Sequence, residues 1–171
     1  MKKIKLPLNA DAIKTLKAGD EVSLSGSMYV ARDAAHKRGI KVPLKNETIF
    51  YAGPTPKGAI GPTTSSRMDP FTIPLLKRGL RGAVGKGERS SEVRSAFRKY
   101  KAVYFVATGG IAALLSKTVK KSKIIAYPDL GPEAILRIEV KDFPAWVAYD
   151  AQGNSIFPGE GPLAPQAGGP A

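Results

Sequence analysis

The chain has 171 residues, 43% hydrophobic and 24% charged, proportions that belong to a globular domain with a core rather than to a disordered chain. It contains no cysteine and a single histidine, which excludes disulfides, a thiolate nucleophile, an iron–sulfur cluster held by this chain alone and a histidine-rich metal site. Its 27 basic and 14 acidic residues leave a formal charge of +13, which admits a nucleic acid, a small anion or an acidic protein partner.

The basic residues are dispersed in small clusters, at Lys2–Lys3, Lys37–Arg38, Arg98–Lys101 and Lys120–Lys123. None is interleaved with aromatics, and no recognition-helix or ribonucleoprotein signature is present, so a nucleic-acid-binding module is the distant alternative. No stretch approaches the ~20 apolar residues of a membrane helix, and the N-terminus lacks the apolar core of a signal peptide. The expectation is a cytoplasmic protein with no membrane partner.

In chain order, residues 11–17 predict a short helix with Asn9 or Asp11 as its cap. Val22 and Leu24, then Met28 and Val30 beyond Gly26, alternate as in a bent strand pair or one kinked strand. A helical turn is expected at Asp33–Arg38, stopped by Gly39. Residues 48–52 and 59–61 read as strands. Asp69 and Pro70 read as a helix N-cap followed by the first helical position, although Pro74 would kink or end that helix early.

Residues 81–85 predict a strand, and 91–100 a helix capped by Ser90, with Val93, Ala96, Phe97 and Tyr100 on one face. The apolar run 102–107 reads as a strand buried on both faces. A helix at 111–119 and a strand at 123–127 follow. This βαβαβ order predicts parallel strands. Two returning strands are expected at 136–140 and 145–149. The fold class is therefore α/β, with three layers: a parallel central sheet, helices and a second β-rich layer. Residues 158–171 are low in complexity and read as a flexible Gly/Pro-rich tail to a domain of residues 1–157, a tail whose removal should change little.

The densest chemistry lies in GPTTSSRMDP, residues 61–70. Thr63, Thr64, Ser65 and Ser66 precede Arg67 at a strand-to-helix turn, so hydroxyls, amides and a guanidinium fork suit a carboxylate or phosphate. The plainer reading is a polar loop capping the next helix. Lys86 stands between Gly85 and Gly87 directly after a strand, where glycines allow close backbone approach; the spacing is not that of a P-loop. Thr108-Gly109-Gly110 is either an anion-binding turn or merely a tight one. Arg32 and His36 fall at i, i+4, and the cations around His36 disfavour its charged form. Several of these segments follow strands at their carboxyl ends, where α/β sheets place ligands. Cations and hydroxyls without a carboxylate pair suit a dianion better than a sugar or base.

GPTTSSRMDP, with YAGP at 51–54, ARDAAHKR at 31–38, GKG at 85–87 and YFVATGGIAALLSK at 104–117, resembles the β subunit of class I fumarate hydratase, a relative of the L-tartrate dehydratase β subunit. The resemblance covers residues 5 to 157. It implies a swivelling β/β/α domain in a hydro-lyase that interconverts fumarate and L-malate, as in the tricarboxylic acid cycle. It also implies a partner α subunit whose cysteines hold a [4Fe–4S] cluster, assembled as two α and two β subunits.

By the same resemblance, Thr63 is the base at substrate C3. Lys86 and Arg67 stabilise its alkoxide, and Arg32 and Arg67 clamp the substrate carboxylates. Thr64 and Lys86 are also expected to bind substrate; Thr64 or Asp69 supports the loop, with His36, Gly85 and Gly87 as further support. The Arg67-Met68-Asp69-Pro70 sequence looks more like the fumarase branch. Tartrate, or a related acid such as mesaconate, is the alternative substrate.

Overall fold

The computed structural model describes residues 1–54, 60–107 and 112–165. Strand β1 (Lys2–Lys5) opens the chain, followed by helix α1 (Ala10–Thr15), whose N-cap Asn9 accepts a hydrogen bond from the Ala12 amide. The kinked segment is one strand, β2 (Glu21–Val30), bulged between Leu24 and Gly26. Gly26 has φ +132°, and a Cβ there would lie 2.5 Å from the Leu6 carbonyl oxygen, so only glycine fits. Helix α2 (Asp33–Arg38) ends on Gly39 as expected.

The strand predicted at 48–52 divides into β3 (Thr48–Phe50) and β4 (Ala52–Pro54), and β4 forms a hairpin with β5 (Ile60–Pro62). A 3-10 helix (Ser65–Met68) then runs directly into helix α3 (Asp69–Lys77). Asp69 is therefore inside the helix and not its cap. Pro74 does not end α3: it removes one intrahelical donor, while burial of Leu75 and Leu76 holds the last turn.

Next come β6 (Gly82–Gly85), α4 (Ser91–Lys99) capped by Ser90, β7 (Val103–Val106) and α5 (Ala112–Lys117). They are followed by β8 (Val119–Ala126), a second 3-10 helix (Pro128–Glu133) and the long β9 (Ile135–Tyr149), which replaces the two returning strands.

Strands β1, β2, β3, β6 and β7 pair in parallel in that order. β9 pairs antiparallel with β2 on one edge, and with β8 and then β7 on the other. The pairings β2–β3–β6–β7–β9–β2 thus close a ring. The parallel order predicted for the second half holds between β6 and β7 and fails at β8, which lies antiparallel at the sheet edge. The physical reason is in its residues. Lys120, Lys121 and Lys123 face solvent, whereas a strand within a parallel sheet must be apolar on both faces; lysines on an outer edge also oppose strand-to-strand aggregation.

Alternate residues divide between two cores. Met28, Val30, Phe50, Val84, Val103 and Phe105 face the first, with Ile138 and Val147 of β9. Tyr29, Ile49, Ala83 and Tyr104 face the second, which is filled by Leu75, Leu76, Val93 and Phe97 of helices α3 and α4. No helix of the described residues is long and apolar enough to cross a membrane.

Two buried arginines tie the connections to this frame. The Arg89 side chain is wholly buried. Its Nε donates to Asp69 Oδ1 at 2.5 Å and its Nη2 to Thr72 Oγ1 at 2.7 Å, and its guanidinium lies over the rings of Tyr51, Phe97 and Tyr104. Asp69 Oδ2 accepts from the Ser90 amide at 2.7 Å, which joins the start of α3 to the start of α4.

Arg94 donates to the carbonyls of Gly153, at 2.8 Å, and Gly161, while Arg98 donates to that of Ala164 at 2.5 Å. The segment from Pro158, expected as a flexible tail, is hydrogen-bonded to the domain at Gly161 and Ala164. Proline and glycine remove its periodicity but leave its carbonyls available.

Arg89→Met should lower stability by about 3–5 kcal/mol, because the Asp69 carboxylate would lose its buried counter-charge; the midpoint of urea unfolding reads this directly. Truncation after Pro158 should cost about 1–3 kcal/mol by stripping the Gly161 acceptor from buried Arg94, and thermal melting of the shortened chain checks it.

Candidate functional site

At the carboxyl ends of β3 and β6, two segments separated in sequence lie side by side. Tyr51 directly follows β3: its amide donates to the Val84 carbonyl and its carbonyl accepts from the Thr63 amide, both at 2.8 Å. The Lys86 amide donates to the Thr63 carbonyl at 3.3 Å, and the Ser65 amide to the Lys86 carbonyl at 3.0 Å, with Thr64 and Lys86 bridged in parallel. Residues 63–65 thus act as a short strand against Gly85-Lys86-Gly87.

The approach is close. A Cβ on Gly85 would sit 1.9 Å from Ser65 Oγ and 3.0 Å from the Tyr51 ring. The Tyr104 hydroxyl lies 2.7 Å from both Ser65 Oγ and the Gly87 carbonyl oxygen. Having one proton, it donates to the carbonyl and accepts from Ser65. Burial pushes its pKa up, so it stays a phenol.

Thr63 is half-buried, and its Oγ1 donates to the Tyr51 carbonyl at 3.1 Å. Lys86 is exposed beside it. Arg32 lies across Gly53 in β4, where a Cβ would meet its Nη1 at 2.7 Å. Arg67, on the 3-10 helix, reaches Asp33: Nε donates to Oδ1 at 3.0 Å and Nη2 to Oδ2 at 3.1 Å. Arg32 Nε is 3.4 Å from Asp33 Oδ2 and 3.6 Å from Glu133 Oε1. The Arg67 guanidinium holds the Asp33 carboxyl below its ordinary pKa range, through that hydrogen bond first.

The predicted candidates thus divide into four groups. Thr63, Thr64, Gly85, Lys86 and Gly87 are brought together by backbone pairing, and Arg67 and Arg32 are linked through Asp33. Asp69 serves instead as the anchor of Arg89 and Ser90. His36 is 3% exposed and packs edge-on against Tyr51. Its Nδ1–H donates to the Arg32 carbonyl at 2.8 Å, so i, i+4 spacing joins it to the Arg32 backbone. Burial lowers its pKa, with the Arg89 cation a smaller contribution. Thr108-Gly109-Gly110 lies outside the described residues.

Sequence reasoning missed Asp33, Glu133, Tyr104 and Arg89. Asp33 had one available signal, a carboxylate adjacent to Arg32 at a helix start. The other three act across 17 or more residues, and no local pattern marks them.

Residues 1–159 match the Fumarase C-terminus family. The chain is 39% identical over 155 residues to the anaerobic class I fumarate hydratase of Escherichia coli, and 40% identical over 154 residues to mitochondrial fumarate hydratase 1 of Leishmania major. Each alignment covers 80% of this chain and 28% of the relative. The chain therefore spans little more than a quarter of those proteins. It is also 40% identical over 166 residues to the "Putative L(+)-tartrate dehydratase subunit beta" of Methanocaldococcus jannaschii, an alignment covering 85% of each chain. With a motif-dense loop paired as described and a family match over nearly its whole length, the chain belongs to the Fumarase C-terminus family.

Proposed function

We propose that this chain is the β-type part of an iron–sulfur hydro-lyase that hydrates fumarate reversibly to L-malate, and that it supplies the base and the carboxylate clamp. The observation that carries this reading is the backbone pairing of Thr63–Ser65 with Gly85–Gly87, which places a hydroxyl and a lysine on adjacent strands while Asp33 joins Arg67 to Arg32. A hydroxyl in one paired segment, a lysine in the other and two arginines linked through Asp33 suit removal of a proton next to a carboxylate. We read the fold as the swivelling β/β/α arrangement; the helices packed on one core and the β2–β9 pairing around the other support it.

A [4Fe–4S] cluster does not fit this chain. Its ligands are thiolates, the sequence has no cysteine, and among the described residues no three His, Asp or Glu side chains converge. In this reading the cluster resides in an α subunit, with two α and two β chains in the assembly.

What this chain contributes is proton transfer and positioning. In dehydration Thr63, as the alkoxide, takes the C3 proton of malate at Oγ1 and becomes the hydroxyl, which returns the proton to C3 in hydration or releases it to water before the next dehydration. The Tyr51 carbonyl that accepts the Thr63 hydroxyl is an acceptor only and cannot carry that proton away. The alkoxide therefore depends on nearby positive charge, which Lys86 and Arg67 supply. Arg32 and Arg67 each take a substrate carboxylate and hold C3 against Thr63.

A second reading, L-tartrate dehydration, is supported by the subunit-length match to the archaeal relative, which covers 85% of both chains. It keeps every role and changes the hydroxyl pattern of the substrate. Anaerobic purification of the tagged chain with its partner, followed by fumarate and tartrate assays and iron determination, separates the two readings; an iron-free eluate inactive on both would refute the proposal.

Thr63→Ala should lower kcat of the assembled enzyme by about 10²–10⁴-fold with little change in KM. A near-normal rate would remove Thr63 from the base role. Gly85→Ala should also cut kcat strongly, because the new methyl displaces Ser65 and with it the Thr63 strand; the circular dichroism of the core should be retained.

A further inference from the structure

Arg67 carries five N–H donors, and Asp33 takes two of them, on the Nε–Nη2 edge. No described residue partners Nη1. An arginine held in this way keeps a second bidentate edge, Nη1–Nη2, for another carboxylate. The side chain is 47% exposed, so little besides this ion pair limits its rotamers. Asp33 is itself fixed in the first turn of α2, and its Oδ2 also approaches Arg32 Nε at 3.4 Å. Glu133 stands 3.6 Å from the same Nε and anchors its Oε1 on the Ala34 amide at 3.0 Å. Two carboxylates thus stand between and behind the two arginines of the clamp.

We propose that Asp33 is the positioning residue of the substrate clamp, orienting Arg67 through its inner edge so that the outer edge receives a substrate carboxylate, and holding Arg32 in register beside it. This rests on the reading of the site as a dicarboxylate clamp. The opposite role would be competition, with Asp33 occupying the place of the substrate carboxylate. The geometry disfavours it, because Asp33 leaves the Nη1–Nη2 edge unused. Ordering a half-exposed arginine before substrate arrives reduces what binding must later immobilise. The carboxylates also limit the repulsion between two adjacent cations in the empty site.

The test uses Asp33→Asn, which keeps the shape and removes the charge. In the assembled enzyme, KM for the dicarboxylate should rise about tenfold or more while kcat changes less, and in an Arg67→Lys background the same change should raise KM by less, through Arg32 alone. A fall in KM would show competition and overturn the proposal, as would an unchanged KM. A second measurement does not depend on turnover. In the full chain labelled with ¹⁵N-arginine, the Arg67 Nε–H signal, identified by its loss in Arg67→Lys, should resist solvent exchange and lose that protection in Asp33→Asn. Protection that survives in Asp33→Asn overturns the pairing itself. A protected signal in a wild-type assembly that turns over no dicarboxylate would instead overturn the substrate reading, and with it the role given to the pair.

Discussion

The Ser65 hydroxyl occupies the place where a side chain on residue 85 would begin, 1.9 Å from that Cβ position. This one contact sets the spacing of the site. Because residue 85 is glycine, the segment Thr63–Ser65 lies flat against Gly85–Gly87 and exchanges backbone hydrogen bonds with it in parallel. Tyr104, rising from the next strand, closes the arrangement by contacting both Ser65 and the Gly87 carbonyl. Two loops that would otherwise be independent become extensions of the sheet. Under the proposed function this rigidity would position the base and its cation, since small displacements at a reacting centre are costly.

Charge is organised in two tiers beneath this surface. The inner tier is the Arg89–Asp69 pair. Its guanidinium is wholly buried and enclosed by aromatic rings, and its carboxylate also accepts from the Ser90 amide. A buried pair of this kind is costly to break and fixes the starts of α3 and α4. The outer tier is Arg32, Asp33, Arg67 and Glu133, all partly exposed. Screening makes such pairs weak contributors to stability, so their value is orientation. Many remaining cations have no such role. The lysines of β8 line an outer sheet edge, which accounts for part of the +13 charge without a polyanionic partner.

Much was legible in the sequence because it depends on local rules. Asn9 and Ser90 are caps, Gly39 stops α2, and the apolar run around Tyr104 is a strand buried on both faces. These follow from side chain to backbone geometry within a few residues, or from alternation along one strand. The loop GPTTSSRMDP announced itself because hydroxyls and a guanidinium crowd one turn. A dianion site could therefore be proposed from the residues themselves, and the proposed reaction came from the resemblance.

What remained for the tertiary structure involves partners distant in the chain. Asp69 resembles an N-cap locally, yet the 3-10 helix before it lets α3 start early, and its carboxylate turns to Arg89, 20 residues away. The strand predicted to join a parallel sheet became the antiparallel edge strand β8, since a sequence order of strands and helices does not reveal which neighbour will leave lysines in water. The apparent tail is held by Arg94 and Arg98 through carbonyls, which every residue possesses and no composition marks. Types of residue in a motif determine which chemistry is available. The distances and charges that make it usable come from elements meeting in space, where burial and hydrogen bonding choose among arrangements that one sequence allows equally.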